Sequence, residues 1–455
     1  MESSLTNYAR RVSITPLWSS SVLVSSLSRI CHNSSSSSLS HRSYSALFSS
    51  ARNPQCASIS SRWSGPRSRK VKVVSATRGF QTSSIAQSSP QFSYRISAAF
   101  SAKGRNFDPN NNLYNYTPGD KTPCSSMEHG SPRRKKKHRP ASGQDSFFVS
   151  SVGDGPNVAF GVADGVGGYS ASRIDSADFS HGLCEYMAAI ARNCEEKYGS
   201  KAHWGHLSPQ SLMEIGYGRA LQDRTIAGGG TTACVAIGRD DGNLDVANLG
   251  DSGFIQLRLN AIHYASHPQT HAFNTPYQLA IVPPKLLAQA ALFGGRPLVD
   301  LPTDSNISTH QLRHGDILVF ATDGVWDNLA ASDILRLVSR HMKACDGWTA
   351  DEEQGGVVVG ENLDELTALS KETAEKKEAA VQSSNNNNNN NNKAKSLQAL
   401  LATSIAREAK QASINTKLDG PFAKEVRKYY PHEDYRGGKV DDICVVVAVA
   451  VAADA

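Results

Sequence analysis

Two apolar segments of this chain end in the same dipeptide. Residues 158–163 run Val158-Ala159-Phe160-Gly161-Val162-Ala163 into Asp164-Gly165, and residues 317–322 run into Asp323-Gly324. A lone carboxylate at the end of a buried strand is costly to desolvate unless something compensates its charge. A divalent cation is the natural compensation, because hard cations such as Mg2+ and Mn2+ take oxygen ligands and fill their remaining positions with water. Glycine after the aspartate lets the backbone turn tightly and offers its own carbonyl. Two more acidic sites have the same setting: Gly250-Asp251-Ser252-Gly253 after an apolar run, and Asp441-Asp442 directly before the apolar run 443–451. Any one Asp-Gly read alone is a hairpin turn. Four acidic sites on strand ends favour a clustered acidic metal site.

The elements that must position these residues follow from hydrophobic periodicity. Residues 146–152 and 157–163 read as strands joined by a Gly153-Asp154-Gly155-Pro156 turn. Residues 176–198 have helical spacing, with Phe179, Leu183, Tyr186, Met187 and Ile190 on one face. A second helix is predicted over 208–223, capped by Ser208 with Pro209 at its first position. Further strands are predicted at 231–238, 245–249, 253–259 and 316–322, then a helix from a Ser332 cap to about Lys343. Residues 346–395, with acidic and glycine-rich stretches and an unbroken asparagine run at 385–392, read as a disordered or partly helical insertion. The pattern resumes with a helix at 397–414 and closes on the strand 443–451.

Composition divides the chain. No Asp or Glu occurs between Glu2 and Asp108, whereas Arg and Ser are frequent, which is the signature of a mitochondrial transit peptide. The cluster Pro132-Arg133-Arg134-Lys135-Lys136-Lys137-His138-Arg139 resembles a nuclear localisation signal, but basic runs are more often solvated tails, which leaves nuclear or cytoplasmic location as the alternative. The formal net charge is +6, yet from Gln144 onward 27 Lys+Arg face 38 Asp+Glu, a net of −11. A nucleic-acid binder carries its positive charge on the folded domain, so that class is not expected. The eight cysteines include no C-x-x-C pair, which excludes a zinc ribbon and points to a reducing compartment. His267/His271 and His310/His314 have the i, i+4 spacing of a zinc site, but Pro268 interrupts the first pair and His310 and His314 read as surface residues, so zinc is a minor alternative. The longest apolar run, 443–453, is about half the length needed to cross a bilayer. Residues 1–103 are therefore read as leader and low-complexity segment, 104–141 as a polar basic linker, and 142–455 as the folded domain.

The motifs Gly143-Gln144-Asp145-Ser146, Asp164-Gly165-Val166-Gly167-Gly168, Gly228-Gly229-Gly230-Thr231-Thr232-Ala233, Gly250-Asp251-Ser252-Gly253, Asp323-Gly324-Val325-Trp326-Asp327-Asn328 and Gly437-Gly438-Lys439-Val440-Asp441-Asp442-Ile443 occur in that order. As a set they resemble the metal-dependent serine/threonine phosphatases of the protein phosphatase 2C family. Phe273-Asn274-Thr275-Pro276-Tyr277-Gln278-Leu279 resembles the mitochondrial branch in particular. The resemblance implies an α+β fold, a four-layer α-β-β-α sandwich of two antiparallel sheets flanked by helices. It implies two Mn2+ or Mg2+ ions, with Asp164 bridging them, the Gly165 carbonyl on one, and Asp323 and Asp442 on the other. Asp164, Asp323 and Asp442 would be the catalytic residues, supported by Gln144, Asp145 and Asp251. The implied reaction is attack of metal-activated water on phosphoserine or phosphothreonine in mitochondrial, matrix proteins, with no phosphoenzyme and with the chain acting as a monomer.

The sequence departs from the family pattern at three places. Gln144 stands where many members have Glu, Val166 where many have His, and Ala227 where some place an Asp for a third ion. Arg139 lies near the position of a phosphate-binding arginine in relatives, or is a linker arginine. These departures define the alternative: a weakly active or inactive phosphatase-like scaffold that binds phosphoproteins.

Overall fold

The computed structural model describes residues 91–116, 139–194, 207–351, 355–368 and 396–453. Two antiparallel sheets account for most of the strands. In chain order these are β1 (Phe92–Ser101), β2 (Leu113–Asn115), β3 (Ser146–Ser151), β4 (Val158–Ala163), β5 (Ala233–Gly238), β6 (Asn243–Leu249), β7 (Gly253–Arg258), β8 (Ala261–Ala265), β9 (Asn306–Gln311), β10 (Ile317–Ala321) and β11 (Ile443–Ala452). The first sheet has six strands in the order β8-β7-β10-β11-β1-β2, and the second has five, β9-β6-β5-β4-β3.

Strand alternation dictates the layers. In β11, Cys444, Val446, Ala448 and Ala450 point into the core between the sheets, together with Phe160 and Val162 of β4 and Phe320 of β10. The intervening Val445, Val447 and Val449 point outward and are covered by α3 (Ala331–Ala344) and α4 (Leu397–Ser413). On the second sheet, Ala159, Ala163, Val235 and Ile237 face α1 (Ala177–Arg192) and α2 (Pro209–Gln222). The result is the four-layer α-β-β-α sandwich, with one core between sheets and one under each helical layer.

The structure moves the expected domain boundary. Phe92–Ser101, assigned from composition to the leader, is a strand of the first sheet paired with β11 over its whole length, from Phe92 opposite Ala452 to Ser101 opposite Ile443. Phe92, Tyr94, Ile96, Ala98 and Phe100 alternate into the central core, a period-2 signal hidden beneath an acid-free, serine-rich composition. Leu113–Asn115, expected in the linker, pairs on the other side of β1. The folded unit therefore starts near residue 89 instead of residue 142. Residues 1–90 of the expected leader and the basic run 132–138 lie outside the described residues.

The insertion is also shorter than expected. Trp348–Ala350 pairs with Val357–Val359, and Trp348 and Leu363 are buried beneath the first sheet's helices. Residues 369–395, which hold the asparagine run, lie outside the described residues. Ser208 caps α2 as expected, its hydroxyl accepting from the Ser211 amide. Helix α3 starts two residues earlier than expected, with Ala330 at the cap and Asp333 accepting from the Ala330 amide, so Ser332 is not the cap.

Candidate metal centre

Strand registers place the acidic residues at one end of the sandwich. In the second sheet β4 and β6 finish where β3 and β5 begin, and in the first sheet β10 finishes where β7 and β11 begin. Asp164 follows β4, Asp323 follows β10, Asp251 lies between β6 and β7, Asp145 precedes β3 and Asp442 precedes β11. Side-chain hydroxyls tie the two sheets together here. The Thr322 hydroxyl donates to Asp145 Oδ2 at 2.7 Å, and the Cys444 amide donates to Thr322 Oγ1 at 3.1 Å.

The turn carrying Asp164 is pinned from both sides. Its carbonyl accepts from the Thr232 amide and the Thr231 hydroxyl, each at 2.9 Å, and its amide donates to Thr232 Oγ1 at 3.1 Å. Thr232 Oγ1 is also 2.7 Å from Ser252 Oγ, linking this turn to the one that bears Asp251. Gly165 donates to the Gln144 carbonyl at 3.1 Å, and a Cβ on Gly165 would sit 2.8 Å from that oxygen. Glycine is required at Gly324 for the same reason, since a Cβ there would lie 1.8 Å from the Asp442 carbonyl oxygen.

One carboxylate oxygen from each of Asp164, Asp251 and Asp323 lies within 4.8 Å of the other two. The structure thus brings together Asp164 and Asp323, both expected as ligands, and adds Asp251, expected only as support. Asp442 is outside this group. Its two oxygens accept from backbone amides, Lys103 at 2.5 Å and Gln144 at 2.8 Å. Asp145 is buried on Thr322, and the Gln144 backbone serves both Gly165 and the Ser180 hydroxyl.

Burial pushes the Asp164 and Asp251 carboxyls well above the usual range, and the Asp323 charge adds to both shifts. Burial and the Asp442 charge raise Asp145 in the same way. At Asp323 burial is outweighed by the Lys439 ammonium, which holds this carboxyl below its ordinary value. Burial pushes Asp327 up to about 7 despite the same lysine. Asp251 Oδ1 is buried with no hydrogen-bond partner. Three converging carboxylates, with Asp251 Oδ1 buried and unpartnered, are the donor set a hard divalent cation takes.

Three residues of this end were not singled out as site residues. Lys439 reaches Asp323 and Asp327 from the loop before β11. Asn328 clamps that loop, accepting from the Lys439 amide and donating to the Lys439 carbonyl, both at 2.9 Å. Asp327 lay unassigned within a quoted motif; its spacing of four from Asp323 on a helical turn was the available signal. Arg139 is not a solvated linker residue, for its guanidinium donates to Asp178 of α1 at 2.7 Å. His271 pairs with Asp300 and His310 packs against Tyr264.

A carboxylate cluster at one end of an α-β-β-α sandwich defines the class as a metal-dependent phosphatase. The chain belongs to the protein phosphatase 2C family, whose profile matches residues 134–366 under the description "Protein phosphatase 2C". It is similar to "Protein phosphatase 2C homolog 7, mitochondrial" of Saccharomyces cerevisiae, 28% identical over 388 residues that cover 84% of this chain and 91% of the yeast protein. It is also similar to "Protein phosphatase PTC7 homolog fig" of Drosophila grimshawi, 31% identical over 308 residues, 67% of this chain and 78% of that one. Among solved structures, the photosystem II phosphatase PBCP aligns with a TM-score of 0.45 and 23% identity over 70% of this chain and 94% of its own. The chain is a metal-dependent protein phosphatase.

Proposed function

We propose that this phosphatase removes phosphate from phosphoserine and phosphothreonine in mitochondrial proteins, using two divalent cations, Mn2+ or Mg2+. The observation that carries the reading is the convergence of Asp164, Asp251 and Asp323, with Asp251 Oδ1 buried and unpartnered. Asp164 and Asp323 would hold the cations together with the Gly165 carbonyl, and Asp251 joins them as a ligand in place of its expected supporting role. Asp442, whose carboxylate holds the Lys103 and Gln144 amides, would be a further ligand. When bound, such cations lower the pKa of water and neutralise charge on the transferred phosphoryl group.

The residues of the chain supply positioning. Thr231 and Thr232 fix the Asp164 turn, Asn328 fixes the Lys439 loop, and Asp145 locks the two sheets in register at this end. Ser252 is buried and bonded to Thr232, so it is not available as a nucleophile. This supports direct attack by water in place of a phosphoenzyme. The mitochondrial assignment is supported by the acid-free stretch that precedes β1 and by the name of the yeast relative, a mitochondrial protein phosphatase 2C homolog.

The test is phosphate release from a phosphothreonine peptide by a chain starting near residue 89, with Mn2+, with Mg2+ and with EDTA. Release with either cation and none in EDTA is expected. A folded chain that binds Mn2+ yet releases no phosphate would favour the scaffold reading, and reverting Gln144 to Glu would then be the first change to make.

A further inference from the structure

Lysine is rarely buried unless paired, and Lys439 is held with its side chain only 15% exposed at the edge of the carboxylate cluster. Its Nζ reaches Asp323 Oδ2 at 2.5 Å and Asp327 Oδ2 at 2.7 Å, with Asp441 Oδ2 at 3.5 Å. Its opposite side faces the Phe422 ring, 5.6 Å from the centroid. The backbone leaves the ammonium little choice of position, because Asn328 grips Lys439 at both its amide and its carbonyl. Two carboxylate oxygens from one helical turn therefore converge on a single cationic point. One of those carboxylates, Asp323, also belongs to the Asp164/Asp251/Asp323 group.

A surface ion pair would need none of this. Here the positive charge cannot dissociate, and it occupies the face of Asp323 that Asp327 shares. Oxygens converging in this way would accept a divalent cation if the ammonium were absent. We propose that Lys439 is a built-in cation that takes the place of an additional metal ion at the Asp323–Asp327 edge. It keeps that edge neutralised at every metal concentration and limits the ions the site binds to those held by the cluster itself. Lys439 is on this account a positioning residue, acting through Asp323. The proposal rests on reading the Asp164/Asp251/Asp323 group as a metal site.

The experiment counts Mn2+ bound per full-length chain, by titration with the electron paramagnetic resonance signal of free Mn2+ as readout. Wild type, Lys439→Ala, Lys439→Arg and Asp164→Asn are compared, and each is also melted in EDTA. Lys439→Ala is expected to bind one more Mn2+ than wild type and to melt at lower temperature in EDTA, with the loss recovered on adding Mn2+. Lys439→Arg, which keeps the charge, is expected to retain the wild-type count. If Lys439→Ala does not fold, Lys439→Gln carries the same expectation. Equal counts in the wild type and in the folded neutral variant overturn the proposal. Asp164→Asn separates this from a failure of the metal-site reading: a count unmoved by that change removes both. An ion lost there, with none gained in Lys439→Ala, removes the built-in cation alone.

Discussion

Asp164 is held among like charges in a buried turn, and both burial and Asp323 raise its carboxyl well above the usual range. Asp164→Asn is accordingly expected to lower metal-dependent turnover by at least about a hundredfold, since a ligand that stabilises transition-state charge is worth several kcal/mol. The same change relieves repulsion, so its melting temperature in EDTA should be no lower than that of wild type. Normal activity would defeat the assignment of Asp164 to the metal site. At His181 the same cause, burial, shifts the pKa in the opposite direction. Burial, aided by the Arg139 charge, lowers its pKa to about 4, with Nε2 3.2 Å from the Gly143 carbonyl oxygen. The unfolded chain takes up a proton near pH 6.5 and the folded chain only near 4, so this stabilisation is present above 6.5 and is lost as pH falls through that window. The full difference is about 3 kcal/mol. Melting curves of wild type and His181→Gln between pH 7 and 4.5 should converge toward the acid end, and parallel curves would rule the histidine out. Asp164 and Asp323 were legible in the sequence because a carboxylate and a glycine closing an apolar run are contiguous. Lys439 was not, because a lysine after two glycines reads as loop, and the carboxylate it meets lies 116 residues away.

At the scale of elements, β1 carries the largest consequence. Phe92, Tyr94, Ile96 and Phe100 are buried in the central core, and each such side chain contributes about 1.5–3 kcal/mol of burial. Together they approach the entire net stability of a domain, about 5–15 kcal/mol. A chain truncated to begin at residue 131 is expected to be insoluble or unfolded by circular dichroism, whereas one beginning at residue 89 should melt cooperatively. A cooperative melt from the shorter chain would show that β1 is dispensable. The strands flanking Asp164 and Asp323 were readable from unbroken apolar runs, which buried strands require. The β1 strand alternates with serines and an arginine, and its composition continues that of the preceding residues without a break. Period, in place of composition, was the informative signal there. The exposed strand β9 carried neither cue: Asn306, Ile307, Thr309 and Gln311 are exposed and pair with β6, where the Thr309 hydroxyl also donates to Asp245 at 2.9 Å.

Over the whole molecule, the candidate site gathers at one end of the sandwich, where the strand ends place its carboxylates. The Thr367 carbonyl accepts from Gln398 Nε2 at 3.0 Å, which brings the two sides of the segment 369–395 together. Replacing those 27 residues by about six is expected to leave kcat/KM unchanged and to stabilise the fold by roughly 1 kcal/mol, the closure entropy of about two halvings of loop length. A severalfold loss of activity would instead assign the segment a part in catalysis. The layer order followed from the motifs as a set, while the pairing of β1 with β11, more than 340 positions apart, is a tertiary fact that no local window contains. That pairing also sets a timetable. Strand β11 lies in the middle of the first sheet, between β10 and β1. Until residues 443–452 have been synthesised, β1 has only the short strand β2 to pair with, and the sheet stays split into two unjoined parts. Closure of the first sheet thus waits for residues 443–452, and a chain whose first sheet is still open is one that can still be threaded through a narrow passage.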